Sequence, residues 1–309
     1  RNETAPVMII QGVAGSGKTS IALHRIAFLL YRFRETIASH DILIISPNKV
    51  FADYISTVLP ELGEDIIPEM GMEELAHDLL DKRFTFQTFF EQVSSLLENP
   101  SPDFIERIQF KSSFEFLSKI NQYLIFVENN YIHYKELRIA GVTISEDFIQ
   151  KKFRAYHRLP LLKRFPEVVK EILNHIRNTV KRKLTGREKS LVWQLVPRML
   201  KINNTLELYK DFYKWVGKPS LYTIQQNSKL EYADVFPLIY FMLRLEGMRT
   251  YEHVKHLLVD EMQDYTPVQY AVLSRIFNCK KTILGDVNQL VNPHSASSAE
   301  GIEQIFPQG

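Results

Sequence analysis

Residues Gly12-Val13-Ala14-Gly15-Ser16-Gly17-Lys18-Thr19 fit the pattern G-x-x-x-x-G-K-[ST] in full. Glycines at these places let a loop wrap so that successive backbone N–H groups, and the N-terminus of the helix that follows, point at phosphate oxygens. Lys18 can then reach the β and γ phosphates of a nucleoside triphosphate, and the Thr19 hydroxyl can ligate magnesium. Far along the chain, Leu257-Leu258-Val259-Asp260-Glu261 delivers two adjacent carboxylates to the end of an apolar run. Asp260 is suited to hold magnesium through water and Glu261 to polarise an attacking water. A structural glycine turn, or a solvated strand end, would account for either stretch by itself. Together they point to ATP and Mg2+ as cofactors of a hydrolytic site.

Such a site needs a strand to feed the loop and a helix to follow it. Val7 to Gln11 is a short apolar run that reads as the buried strand, and Thr19 to about Tyr31 reads as a helix, apolar nearly all round and therefore buried. Ile42 to Ile45 is a second strand, ended by Ser46-Pro47, where proline restricts the residue before it. Leu257 to Val259 and Thr282 to Leu284 are two more, each running into acidic residues. Strands that alternate with helices and end in polar residues predict an α/β fold, a P-loop NTPase (RecA-like) parallel sheet flanked by helices with its site along the carboxyl edge. Between Met72 and Lys229 the pattern turns to helical periodicity with many aromatic and basic residues, and no strand of comparable strength stands out. That length is too great for a loop in a compact domain, which predicts a mostly α-helical insertion. The boundaries read as 1–71 and 230–309 for the two parts of the sheet domain and 72–229 for the insertion.

Asp260-Glu261-Met262-Gln263-Asp264 and Gly285-Asp286-Val287-Asn288-Gln289 resemble the D-E-x-Q-D and G-D-x-x-Q pair of UvrD/Rep-type superfamily 1 helicases. The resemblance implies an ATP-dependent 3′-5′ translocase or helicase, with the sheet domain as its motor domain 1A and the insertion as a 1B-like element. It implies that Gln289 senses the γ-phosphate, and that Gln263 and Asp264 relay between nucleotide and strand. The nucleotide-binding set is then Gly12, Gly15, Ser16, Gly17, Lys18, Thr19, Ser20, Asp260 and Gln263, with Lys18, Glu261 and Gln289 catalytic and Thr19 and Asp260 on the metal. The stretch from Ile45 to Glu64, together with Glu231-Tyr232-Ala233-Asp234, Pro237-Leu238 and His24-Arg25-Ile26-Ala27, is similar in wording to the HelD branch, whose bacterial members associate with RNA polymerase. This likeness covers roughly Val7 to Gly63 and Glu231 to the end.

Asn48 and Lys49, at a strand end, suit a phosphate of a single DNA strand, and Phe51 or Tyr54 a base; a capped helix N-terminus with Phe51 in the core is the plainer alternative. Three departures from the family pattern stand out. Ser20 replaces an arginine usual after the threonine, no glutamine upstream of the loop is placed to read adenine, and no second α/β domain follows to supply arginines. With Arg1 at the start in place of methionine, these features lead to the expectation of a fragment that binds ATP weakly, turns it over slowly and does not unwind duplexes. For the intact protein three readings stay open: an unwinding motor, an ATPase that remodels or releases RNA polymerase, and a nucleotide-switched binding module.

The insertion carries a strong local charge. From Lys151 to Lys189 there are thirteen Lys/Arg against three Glu, 13 − 3 = +10, so the rest of this +2 chain holds 2 − 10 = −8. Lys151, Lys152, Arg154, Arg158, Lys163, Arg164, Arg177, Lys181, Arg182, Lys183, Arg187 and Lys189 alternate with Phe153, Tyr156 and Phe165, a surface for nucleic acid, for an acidic protein, or simply a solvated face. Trp193, Tyr209, Phe212, Tyr213 and Trp215 recur at helical spacing and read as core. With Cys279 as the single cysteine, an internal disulfide is impossible and a reducing, cytoplasmic location is expected. Histidines His24, His77, His133, His157, His175, His253, His256 and His294 lack ligand spacing for zinc. The longest apolar stretch, near Val235 to Leu243, is far below the roughly 20 residues that span a bilayer, so no membrane role is expected.

Overall fold

The computed structural model describes residues 6–13, 17–47, 65–224, 229–286 and 299–306, and of these the side chains of Thr19, Ala299, Glu300 and Glu303 fall outside the description. The chain divides into two compact units, one formed by 1–117, 223–239 and 249–309 and the other by 118–222 and 240–248.

In the first unit β1 (Val7–Gly12) leads to α1 (Lys18–Arg32), then to β2 (Ile42–Ile45) and β3 (Glu69–Met70). Helices α2 (Met72–Leu80), α3 (Phe89–Glu98) and α4 (Pro102–Lys111) follow. Within α5 (Phe114–Asn130) the chain passes into the second unit, which continues from β4 (Leu137–Ile139) and β5 (Val142–Ile144) through α6 (Glu146–Ala155), α7 (Leu161–Val180), α8 (Gly186–Leu195) and α9 (Thr205–Trp215). It returns through α10 (Tyr232–Leu245) to β6 (His256–Val259), α11 (Pro267–Ile276), β7 (Lys280–Asp286) and α12 (Ala299–Ile305).

The five strands of the first unit are all parallel, in the order β1-β7-β6-β2-β3. β2 is wholly apolar and β6 is apolar after His256, and all four residues of each are buried, as befits parallel strands covered on both faces. Register then aligns the carboxyl ends, with Gly12 opposite Asp286, Ile283 opposite Val259 and Val259 opposite Ile45. Ala22, Leu23, Ile26 and Leu30 of α1 pack with Ile42, Ile44, Leu258 and Leu284 in a single apolar cluster under the sheet. The helix is not buried all round, contrary to the expectation from its composition. Ile21 is 48% and Tyr31 76% exposed, because only the stripe spaced at i, i+4 and i+8 meets the sheet.

Helices α2 to α4 belong to the sheet-bearing unit, and buried charge holds α4 there. Lys111, at the end of α4, is 2% exposed, and its ammonium donates to Asp234 Oδ2 at 2.7 Å and Glu231 Oε2 at 3.4 Å. Arg107, one turn back, donates to Glu231 Oε1 at 2.8 Å. The segment where the chain returns is also stitched by backbone, with Leu230 N–H on Thr85 O and Gln87 N–H on Leu230 O, and by Gln92 Oε1 accepting from Ala233 N–H.

The second unit is mainly helical and has an aromatic core. Tyr123, Tyr209, Phe212, Tyr213 and Phe241 are fully or almost fully buried, and the carboxylate of Asp211 accepts from both Tyr123 and Tyr131 hydroxyls. Tyr209, Phe212 and Tyr213 are therefore core as expected, whereas Trp215 is half-buried and Trp193 is 44% exposed. Strands β4 and β5 form an antiparallel hairpin of three residues each, too short for its alternation to register against the surrounding helical pattern. Amphipathic α7 buries Leu161, Phe165, Val168, Val169, Ile172 and Ile176 along one stripe. Among the described residues no helix is long and apolar enough to cross a membrane.

Candidate functional site

Helix α1 begins at Lys18 directly after Gly17, whose φ of 80° lies in the left-handed region that glycine adopts without strain. This helix has no acidic residue in its first turn and no side-chain cap, so its N-terminal N–H groups and positive dipole end face the carboxyl edge of the sheet without an internal anion. The Lys18 ammonium curls over the end of β1, donating to Gly12 O at 2.7 Å and Val13 O at 3.1 Å. It also pairs with Asp286 Oδ2 at 3.5 Å, a carboxylate only 3% exposed at the end of β7.

The acidic pair ends β6. Asp260 N–H is held by Ile45 O at 2.9 Å, which fixes the residue against the end of β2. Glu261 takes a left-handed φ of 50°, turning the chain sharply into the short helical turn Met262–Asp264. A non-glycine residue in that region carries a steric cost, and such positions collect where side chains must be aimed. Burial first, and then the charge of Glu261, push the Asp260 carboxyl up to about 6, with Lys18 partly offsetting the effect. Gln263 ties the two strands together: its amide donates to Glu261 Oε2 at 2.6 Å, and its Oε1 accepts from the Asp286 N–H at 3.2 Å. One chain of contacts thus runs Lys18, Asp286, Gln263, Glu261.

Gly285 is required by the same packing. A Cβ at this position would lie 2.1 Å from Met262 Cγ and 2.4 Å from its Sδ, and Met262 is fully buried. On the far side of the strand, Thr282 Oγ1 accepts from Arg25 Nε of α1 at 2.9 Å and bonds His256 Nε2 of β6 at 3.0 Å. A single hydroxyl therefore links the three elements that supply the site. Burial, followed by the charges of Arg25, Lys280 and Lys281, lowers His256 to about 4, so it is neutral at pH 7.

Of the residues singled out in the sequence, Gly12, Gly17, Lys18, Asp260, Glu261 and Gln263 come together on one edge of the sheet. Ser20 is exposed on α1, and Asp264 is exposed in the turn after Glu261. Thr19 is in α1 by its backbone. Gly15, Ser16, Asn48, Lys49 and Gln289 lie outside the described residues. Asp286 as the partner of Lys18, and Thr282 beneath it, were not picked out from the sequence. Asp286 was visible within its motif, but only strand order makes β7 the neighbour of β1.

Magnesium prefers hard oxygen donors and is usually held by one or two carboxylates with the phosphates of its substrate. The edge fits that demand, since Asp260 and Glu261 are adjacent carboxylates whose mutual repulsion and burial leave surplus negative charge for a divalent ion to relieve. Comparison with curated proteins gives no match. The family described as UvrD/REP helicase N-terminal domain matches residues 2–305. With the parallel sheet, the loop-to-helix turn and the acidic pair on one edge, the chain belongs to the UvrD/REP helicase N-terminal domain family.

Proposed function

We propose that this chain binds ATP with Mg2+ and hydrolyses it as the first half of a superfamily 1 motor acting on single-stranded DNA. The observation that carries the reading is the convergence of Lys18 with Asp286 and the Asp260-Glu261 pair, residues from opposite ends of the chain, at one sheet edge. In this reading the first-turn N–H groups of α1 bind the phosphates, and Lys18 leaves Asp286 and the loop carbonyls to reach the β and γ oxygens. Asp260 and Thr19 would hold the magnesium, which supplies charge neutralisation on the phosphates when bound. Glu261 orients the attacking water and accepts its proton, and Gln263 keeps that carboxylate in line through its 2.6 Å bond. Gln289, Gly15 and Ser16 take their roles from their places in the motifs, as do Asn48 and Lys49 for the DNA strand. The motor domain is assigned to 1–71 and 230–309 and the insertion to 72–229, which contains the 118–222 part of the second compact unit, but not its 240–248 part, and adds α2 to α4.

The finer assignment to the HelD branch, with RNA polymerase as a partner, rests on sequence likeness; within it, Glu231 and Asp234 serve the fold through Lys111 and Arg107. One experiment separates the readings. Binding of a fluorescent ATP analogue is titrated on wild type and Lys18→Ala, and turnover is then measured with single-stranded DNA, RNA or RNA polymerase added. Analogue binding that survives unchanged in Lys18→Ala sinks the site assignment. Stimulation by polymerase but not by DNA selects the remodelling reading.

A further inference from the structure

The charge run in the second unit resolves into two classes of cation. Lys152 pairs with Glu171, Lys170 with Glu167 and buried Arg164 with Glu128, while Phe153 and Phe165 are in the core. These groups serve folding. Upstream, Lys151, Arg154, Arg158 and Lys163 are exposed with no carboxylate partner among the described residues, and the same is true of the five cations gathered around the junction of α7 and α8, Arg177, Lys181, Lys183, Arg187 and Lys189. The local acid, Glu188, is already committed to Arg182 at 2.7 Å and to the Thr185 N–H at 2.8 Å, and these bonds, Arg182 first, hold its carboxyl down at about 2.

Two of these cations sit where folding alone would not place them. Arg187 and Lys189 fall within the first four residues of α8, at the positive end of its dipole, where like charge is unfavourable. One helical turn on, at i+4 from each, stand Leu191, 41% exposed, and Trp193, 44% exposed. Large apolar groups in water beside unpaired cations suit a ligand that offers negative charge and flat faces together. Three of the five cations are lysines, which protein interfaces deplete at their cores, so an acidic protein is the poorer fit.

We infer that the exposed face of α8, with the turn that precedes it, is a binding surface for single-stranded nucleic acid, its phosphates on Arg187, Lys189 and the 181–183 turn and a base stacked on Trp193. The surface is separate from the triphosphate site and does not depend on its reading. The test uses the whole 309-residue chain, a labelled oligo(dT) and a series of salt concentrations. Tryptophan fluorescence should quench on binding. Arg187→Gln/Lys189→Gln should lower the slope of log K against log salt by about 1.4, which is about 25-fold weaker binding at about 0.1 M salt. Trp193→Ala should weaken binding about fivefold or more and remove most of the quench.

Unchanged affinity and slope in the double variant, or a quench that survives Trp193→Ala, would place the strand elsewhere and overturn the inference. Polyglutamate that competes as well as oligo(dT) at matched charge would assign the face to an acidic protein instead. Removing cations that oppose a helix dipole should leave the melting temperature unchanged or raise it; a fall would show that they serve folding, and would equally overturn the assignment.

Discussion

Replacing Lys111 by alanine should be among the most damaging single changes in the sheet-bearing unit, although the residue is not among those assigned to the triphosphate. Its side chain is 1% exposed and lies between the carboxylates of Asp234 and Glu231, both fully buried. Removing one member of a buried charge set leaves the others without that compensation, which costs about 3–5 kcal/mol. For a unit of roughly 200 residues, a loss of this size lowers the melting temperature by about 6–20 °C. Arg107 continues to serve Glu231, so the damage should concentrate on Asp234, and Lys111→Met/Asp234→Asn should recover much of the loss. The pH dependence has a definite sign. Burial raises the Glu231 carboxyl, but Arg107 and Lys111 outweigh it, and the net shift is downward. The cluster therefore stabilises the wild type above the ordinary glutamate range near 4.5, and this contribution is lost as pH falls through the depressed value. The gap between wild type and variant should narrow in acid. Scanning calorimetry at several pH values measures all of this. A Lys111→Ala protein that melts within about 2 °C of wild type at pH 7 would refute the reasoning, since it would mean that the buried charges are solvated or otherwise neutralised.

Further outcomes follow from the site. Gly285→Ala would drive a methyl group into Met262, 2.1 Å from its Cγ; overpacking of this kind costs about 1–3 kcal/mol, and combined with Met262→Ala the two losses should be less than additive in thermal melts. Equilibrium unfolding in urea should show stability rising between pH 4 and 6.5, because His256 is held neutral in the fold down to about 4 and takes up a proton in the unfolded chain below 6.5. The effect is at most about 3 kcal/mol, present in full above the unfolded value and lost as pH falls through the window, and it should flatten in His256→Gln. Lys18→Ala should abolish binding of the ATP analogue in a titration, since it removes the ammonium that stands at 3.5 Å from Asp286 on the sheet edge.

The sequence by itself determined the motifs and the local elements. A complete phosphate-loop pattern, an acidic pair after an apolar run and the glycine of the last strand each depend on residues close together in the chain, and local rules of periodicity and turn chemistry read them. The parallel α/β class followed from the same runs. Tertiary structure alone decided what stands next to what. Asp286 is the counter-ion of Lys18 only because β7 pairs with β1, and Thr282 joins α1 to β6 only because β7 lies between them. Helices α2 to α4 read as part of an insertion, yet they pack in the sheet-bearing unit; the anchor of α4 is a buried charge set whose members lie more than a hundred residues apart. The same holds for the cations of the second unit. Composition shows thirteen of them between Lys151 and Lys189, but only packing shows which are spent on carboxylates and which remain for a partner, since ion pairing depends on distance in space and composition records none.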